Sequence, residues 1–193
     1  MAADAIEVEH KYSPSESDAL PPLASIPGVD RAGQSANEML DAVYFDTKAL
    51  ALAAQRITLR RRSGGPDDGW HLKLPVAAGE RREIREPLGG DQDAVPENLR
   101  QLVLVHTRSH VLAPVARIKT SRSSTPLYAA DGAVLARFSD DRVEAQSLVA
   151  PAEASRWREW ELELADGPGR LLHDADALIA AGGVPVASLP SKL

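Results

Sequence analysis

Charged side chains alternate with apolar ones near the start of the chain, from Ile6 to Lys11. Successive side chains of a β-strand point to opposite faces, so Glu7, Glu9 and Lys11 share one face. The other face carries Ile6, Val8 and His10. Burying an unpaired charge is costly, so the charged face needs water, counter-charges or a metal ion.

The same alternation returns in later predicted strands, where one set of side chains is apolar and the other is acidic or basic. The charged faces carry, in chain order, Arg60 and Arg62; His71 and Lys73; Arg81, Glu83 and Arg85; Arg137 and Asp141; and Trp157, Glu159, Glu161 and Glu163. About eight strands are predicted, mostly joined as hairpins, with a turn at Asp131-Gly132.

Few helices are predicted. Ser13 as N-cap and Pro14 at the first helical position predict a short helix over residues 14–23. Apolar residues at helical spacing predict further helices over residues 96–106 and 169–181. This pattern is α+β, mainly β.

Two architectures accommodate strands of this kind. A sandwich would bury its apolar faces between two sheets and expose the charged faces to water. A closed barrel with helices packed outside would turn the charged faces into its lumen. The alternation alone does not choose between them.

Composition excludes several classes of protein. The 193 residues suffice for one domain, and cysteine is absent, so disulfide frameworks and thiolate metal sites are excluded. The net charge of −6 argues against general nucleic-acid binding. The first residues lack a basic segment followed by an apolar core, so we expect no secretory signal, and no apolar run approaches the roughly 18 residues that a membrane span needs. We therefore expect a cytoplasmic protein with no nucleic-acid or membrane partner.

Ordered motifs along nearly the whole chain resemble those of the CYTH superfamily, the triphosphate tunnel metalloenzymes. The Glu7-x-Glu9-x-Lys11 strand is followed by segments similar to the family's later motifs: residues 44–47 (Tyr-Phe-Asp-Thr), 59–62 (Leu-Arg-Arg-Arg), 70–73 (Trp-His-Leu-Lys), 81–83 (Arg-Arg-Glu), Arg122, Asp141, 159–163 (Glu-Trp-Glu-Leu-Glu) and Ser191-Lys192. One such motif is a weak signal, whereas all of them in order are specific.

The resemblance implies an eight-stranded closed antiparallel β-barrel, a tunnel with charged side chains inside and helices packed outside. A triphosphate needs several cations at close range, which arginine forks and lysines supply. The implied phosphate-binding residues are Lys11, Arg60, Arg62, Lys73, Lys119, Arg122 and Lys192. Lys119 has the opposite strand parity to Arg122, so it would need a β-bulge to face the lumen.

The resemblance also implies a site for Mg²⁺ or Mn²⁺, ions that prefer oxygen ligands. The implied metal ligands are Glu7, Glu9, Asp141, Glu159 and Glu161. Lys11, Tyr44 and Glu159 are implied as catalytic residues, with Tyr44 close to Lys11. Other residues have structural alternatives: His71 as a hydrogen-bonded wall residue, Arg61 as an outward side chain, Trp157 and Glu163 at the rim, and Arg81, Glu83 and Arg85 as an ion-pair ladder.

The leading functional hypothesis is a metal-dependent triphosphatase acting on inorganic triphosphate, with nucleoside and thiamine triphosphates as close alternatives. An adenylyl cyclase, which would direct attack to the α-phosphate, and a non-catalytic module that binds polyphosphate or nucleotides are the competing hypotheses. A β-sandwich without a site is the remaining alternative. We expect residues 1–193 to form a single domain, and some bacterial relatives carry a C-terminal CHAD domain that this chain would lack.

Overall fold

The structure, a computed structural model, describes residues 3–77, 79–89, 94–108, 110–150 and 153–187. These residues form nine strands and three α-helices. The strands are β1 (Ala3–Tyr12), β2 (Arg31–Ala32), β3 (Ala36–Asp46), β4 (Thr58–Ser63), β5 (Gly69–Ala77), β6 (Glu80–Glu86), β7 (Ala113–Tyr128), β8 (Val134–Ser147) and β9 (Ser155–Leu164), and the helices are α1 (Glu97–Leu102), α2 (Leu104–Thr107) and α3 (Arg170–Ala181). Short 3₁₀ turns cover Leu23–Ser25 and Ala53–Gln55.

Eight of the strands close into an antiparallel barrel. Their order is β7-β3-β4-β5-β6-β1-β9-β8, and β8 pairs back onto β7. The two-residue strand β2 adds to the far end of β7. The predicted barrel is confirmed, and the sandwich that periodicity left open is excluded.

The apolar faces of the strands point outward and are covered by helices. Trp160 and Leu162 of β9 are fully buried against Leu171, Ala175 and other residues of α3. On another side, Leu59, Trp70 and Leu72 pack with residues of α1 and with Val103, the residue between α1 and α2. Because the helices cover the apolar face of the strands, the charged side chains on the opposite face point into the lumen.

Part of the lumen is nevertheless apolar. Ala42, Ile118 and Val143 form a buried cluster with Tyr44, and the half-buried Trp157 packs against it. By strand alternation these side chains share the inner face with the charged residues of β3, β7, β8 and β9. They fill the interior next to Tyr44, and Trp157, the third residue of β9 and only half buried, is consistent with the rim position that the sequence suggested.

The predicted helix over residues 14–23 is wrong. Residues 13–22 form a turn and extended chain that precede the Leu23–Ser25 turn. Their backbone carbonyls accept hydrogen bonds from the guanidinium of Arg158 instead of from helical amides. Nη1 of Arg158 donates to the backbone oxygens of Ser15 (3.0 Å) and Asp18 (2.8 Å). Tertiary hydrogen bonds thus replace helical ones, while the predicted helices near 96–106 and 169–181 appear as α1, α2 and α3.

Candidate active site in the tunnel

A charged cavity runs inside the barrel. Its lining is polar apart from the Tyr44 ring and the methyl group of Thr58, and it comprises Glu7, Glu9, Lys11, Tyr44, Thr58, Arg60, Arg62, Asp67, Lys73, Arg81, Glu83, Arg85, Arg122, Glu161 and Glu163. Most of the residues proposed from sequence therefore meet in one place. Arg81, Arg85, Asp67 and Glu163 join them.

One side of the tunnel is acidic. Its carboxylates stand on β1, β8 and β9, and we call Glu7, Glu9, Asp141, Glu159 and Glu161 the acidic wall. Glu7, Glu9 and Glu161 line the cavity, whereas the buried Asp141 and Glu159 are not among its lining residues. The register pairs Asp141 with Glu159 across β8 and β9. Carboxylate oxygens of Asp141, Glu159 and Glu161 lie within 4.8 Å of one another, and all three residues are buried. Oxygen donors at this spacing suit a hard divalent cation such as Mg²⁺ or Mn²⁺.

The other side is basic. Its cations stand on β4, β5 and β6, and we call Arg60, Arg62, Lys73, Arg81 and Arg85 the basic wall. The register sets Arg60 beside His71 and Thr58 beside Lys73. Buried arginines at close quarters provide the donors that a phosphate chain requires.

Ion pairs tie cations into the acidic wall. Arg122 makes a two-pronged contact with Asp141, with Nε–Oδ1 at 2.8 Å and Nη2–Oδ2 at 2.6 Å, and its Nη2 also reaches Glu161. Lys11 contacts Glu161 and lies 3.2 Å from Glu9. Burial lowers the pKa of Lys11, but Glu161, Glu9 and Glu159 outweigh it and raise the pKa well above its usual range. Lys11 is therefore charged throughout the physiological range.

Arg62 differs electrostatically from the other arginines of the basic wall. Against the effect of burial, Tyr44 and Glu83 raise the pKa of Arg60, and Glu83 raises the pKa of Arg85. For Arg62, burial and then the positive charge of Arg60 lower the pKa to about 10. A guanidinium whose charge is disfavoured in this way is stabilised when an anion binds beside it, so Arg62 is suited to bind a phosphate group.

Glu163 shows the opposite imbalance. Burial raises the pKa of this carboxyl to about 7, and the charges of Glu7, Glu9 and Glu161 add to the effect. A metal ion entering the tunnel, or a proton bound to Glu163, would reduce the repulsion between these carboxylates.

His71 is part of the hydrogen-bonded wall, in line with the sequence interpretation. It is almost fully buried, with Nδ1 2.9 Å from a Glu83 oxygen and Nε2 2.9 Å from the backbone oxygen of Asp67. Burial lowers its pKa, although the hydrogen bond to Glu83 opposes this.

Tyr44 is buried beside Arg60, whose Nη1 donates to the tyrosine hydroxyl over 3.4 Å.

Lys119 does not reach the tunnel, which corrects its proposed role in phosphate binding. Its side chain is exposed on the outside of β7, where it pairs in register with Asp41. The β-bulge of this strand pair lies between Tyr44 and Phe45, too far along to change the parity of Lys119 relative to Arg122. The expected phosphate ligand Lys192 lies outside the described residues.

Asp67 is a lining residue that the sequence did not indicate, whereas Arg85 was already placed on a charged face with Arg81 and Glu83. Arg85 shared the parity of Arg81 and Glu83, so its inward direction was visible in the pattern. Asp67 stands in a loop that composition marked only as a hairpin connection. No pattern in the sequence signals that this loop folds toward the lumen.

A family model described as the CYTH domain matches residues 5–179. The chain belongs to the CYTH domain family. Two Mycobacterium tuberculosis proteins, from strains CDC 1551 and H37Rv and both named only as uncharacterized, are 46% identical over 195 residues. The match covers 93% of this chain but only 38% of theirs, so this CYTH domain spans well under half the length of these curated relatives.

Solved structures share the fold of this CYTH domain. A candidate adenylate cyclase from Bacillus halodurans superposes with a TM-score of 0.65 at 17% identity, covering 98% of this chain and 96% of the other. HpAC1 from Hippeastrum, a candidate adenylyl cyclase described as having dominant triphosphatase activity, gives 0.51 at 16% identity, covering 97% and 91%. At these identities the likeness shows the tunnel fold alone.

Among the described residues, none of the helices has the length and apolarity needed to traverse a lipid bilayer.

Proposed function

We propose that this CYTH domain is a metal-dependent triphosphatase that removes the terminal phosphoryl group of inorganic triphosphate. The observation that supports this most is the juxtaposition of two walls in one closed barrel. The acidic wall offers an oxygen-only donor set, and the basic wall offers guanidinium donors, among them Arg62, whose charge its surroundings disfavour. A module that only held a polyanion would gain nothing from the carboxylates.

The donor set fits the metal that the proposal requires. Asp141, Glu159 and Glu161 would hold Mg²⁺ or Mn²⁺, with Glu7 and Glu9 as further carboxylates of the same wall. Such an ion neutralises phosphate charge and activates water. Lys11, Arg60, Arg62, Lys73 and Arg122 would bind and align the phosphate chain, because phosphoryl transfer depends mainly on positioning and charge stabilisation. Glu159 would orient the attacking water, and Tyr44 would help to position the chain through Arg60.

The lining favours inorganic triphosphate over nucleotides. Among the described residues that line the cavity, Tyr44 is the single aromatic one. A nucleobase or thiazole ring binds best against apolar and aromatic surface. Such groups would therefore remain outside the tunnel and add little affinity.

The test is phosphate release from inorganic triphosphate, ATP and thiamine triphosphate, each with Mg²⁺, Mn²⁺ or EDTA. We expect metal-dependent release that is fastest with inorganic triphosphate. Replacing Glu161 by Gln should lower the rate by more than about 100-fold, since losing a ligand should cost at least as much as losing an outer-shell partner. Glu144→Gln, which changes the same charge on the outer face of β8, is the matched control.

Two outcomes would overturn the proposal. Tight binding of triphosphate without release of phosphate in either metal would favour a binding module. Formation of pyrophosphate and a cyclic nucleotide from ATP would favour a cyclase. Because the curated relatives are much longer, the same assays on the full-length gene product would show whether a further domain, such as CHAD, alters the preferred substrate.

A further inference from the structure

A carboxylate that the proposed reaction does not use lines the tunnel where it meets solvent. Asp67 stands in the loop of residues 64–68 that joins β4 to β5. The loop folds back onto β3: Gly64 has a φ of +84°, and a Cβ at this position would lie 1.9 Å from the backbone oxygen of Met39. Only glycine permits this approach, which directs Asp67 toward the lumen.

Asp67 lies between two arginines of the basic wall. Its Oδ2 is 3.2 Å from Nη2 of Arg62, and its Oδ1 is 3.5 Å from Nη1 of Arg85. The Arg62 side chain is 9% exposed, whereas those of Asp67 and Arg85 are 44% and 39% exposed. The carboxylate therefore stands at the mouth, where the buried cations of the wall meet solvent.

The backbone of Asp67 is held independently of its carboxylate. Its carbonyl oxygen lies 2.9 Å from Nε2 of His71 and accepts from Arg62 over 3.3 Å. These contacts do not depend on the charge of the side chain. Removing that charge should therefore leave the loop in place.

A carboxylate between two guanidinium groups takes the place that a phosphate would take, because the two anions are recognised by the same donors. A triphosphate bound deeper, at Arg60, Lys73 and the buried Nε of Arg62, would not compete with Asp67, which contacts Nη2 of Arg62. A longer chain would bring a further phosphate toward Arg62 and Arg85, and the carboxylate would repel it. The protein's own carboxylate thus already engages Arg62 and Arg85 at this mouth.

We propose that Asp67 is a specificity-determining residue that limits the length of the phosphate chain and selects triphosphate over tetraphosphate and longer inorganic polyphosphates. This inference rests on the proposed function, since it assumes that the tunnel binds phosphate chains. It goes beyond the proposed function by assigning the selection of chain length to one residue, Asp67, at the mouth of the tunnel.

The test compares binding of inorganic triphosphate and tetraphosphate to the Asp67→Asn variant by titration calorimetry in EDTA, where no turnover occurs. We expect the affinity for tetraphosphate to rise about tenfold more than that for triphosphate, roughly the value of one charge-assisted contact. Asp68→Asn is the matched control, because Asp68 is an exposed neighbour outside the lining. Asp67→Glu keeps the charge and should keep the preference for triphosphate.

Each other result counts against the proposal. If Asp67→Asn and Asp68→Asn shift both affinities alike, general charge and not position is responsible. If Asp67→Asn weakens both anions equally, Asp67 supports the arginines and does not limit the chain. If the wild type binds neither triphosphate in EDTA nor the non-hydrolysable imidotriphosphate with Mn²⁺, this inference and the proposed function both fail, whereas selective binding without phosphate release would overturn only the proposed function.

Discussion

Glu83 shows how a buried carboxylate stabilises the basic wall. It is 2% exposed, and it accepts a hydrogen bond from Nε of Arg85. His71 lies 2.9 Å and Nζ of Lys73 lies 3.7 Å from the same carboxylate. Burial alone would raise the pKa of Glu83, but the hydrogen bond to His71 and the charges of Lys73 and Arg85 lower it well below its usual range.

The lowered pKa of Glu83 predicts how the free energy of unfolding depends on pH. A carboxyl whose folded-state pKa lies below its unfolded value of 4.5 stabilises the fold above that pH, and the contribution is lost as the pH falls. Glu83→Gln should lower the free energy of unfolding by about 3 kcal/mol at pH 7, because it leaves buried cations without their partner. The deficit relative to the wild type should shrink as the pH falls below about 4.5.

Urea titrations from pH 7 to pH 3 without ligands would measure this dependence. Glu144→Gln serves as the control, since Glu144 pairs with the exposed Arg156 outside the barrel and such pairs contribute little. A deficit that stays constant across the pH range would mean that the Glu83 side chain acts through packing and not through its charge.

At the scale of elements, the sequence predicted what depends on local alternation. The inward parity of Glu7, Arg60 and Glu161 follows directly from the two-residue period of a strand. The closed barrel did not follow from periodicity, because a sandwich has the same pattern, and it required the order of the motifs. Positions determined by distant contacts, such as residues 13–22 and the loop bearing Asp67, could not be read from the sequence.

Residues 13–22, the segment before the first 3₁₀ turn, show why such conformations cannot be predicted from local sequence. Its local signals favoured a helix, yet Arg158 of β9 provides donors for its carbonyls while its Nε and Nη2 hold Asp140 at 2.8 and 2.9 Å. A planar guanidinium can serve both partners at once, whereas an ammonium cannot. The conformation of residues 13–22 therefore depends on a residue about 140 positions away.

We expect Arg158→Lys to loosen this segment and leave the barrel closed. Hydrogen exchange measured by mass spectrometry should be faster at residues 13–22, and stability should fall by about 1–2 kcal/mol, the value of the lost hydrogen bonds. Arg142→Lys is the control, because Arg142 is 57% exposed and makes only long ion pairs, 3.6 Å to Glu16 and 4.0 Å to Asp140. Equal protection in the two variants would contradict the assigned role of Arg158.

At the scale of the whole molecule, the barrel is divided into an acidic and a basic wall, with cations also placed among the acids. Arg122 engages two members of the proposed metal-binding set, Asp141 and Glu161, and Lys11 engages Glu161. A metal ion must therefore compete with these cations for carboxylate oxygens. A triphosphate would attract Arg122 and Lys11 and so free the carboxylates, which couples the two binding events.

This coupling predicts that metal and phosphate chain stabilise the protein more together than the sum of their separate effects. The measurement is the melting temperature with Mn²⁺ alone, with imidotriphosphate alone, and with both; the imido bridges prevent hydrolysis during the scan. Ligand linkage converts affinity into stability, so synergy in binding appears as an excess shift. In the Arg122→Gln variant, Mn²⁺ alone should give a larger shift than in the wild type, because Asp141 has lost its competing cation.

The control for that variant is Arg117→Gln, which removes a two-pronged pair with Asp41 from the outer face of the same strand. It should leave the Mn²⁺ shift unchanged, since Asp41 is not part of the lumen. An equal Mn²⁺ shift in Arg122→Gln and the wild type would mean that Arg122 does not compete with metal. The acidic wall would then bind its ion independently of the phosphate chain, and the cations among the acids would serve only to stabilise the barrel.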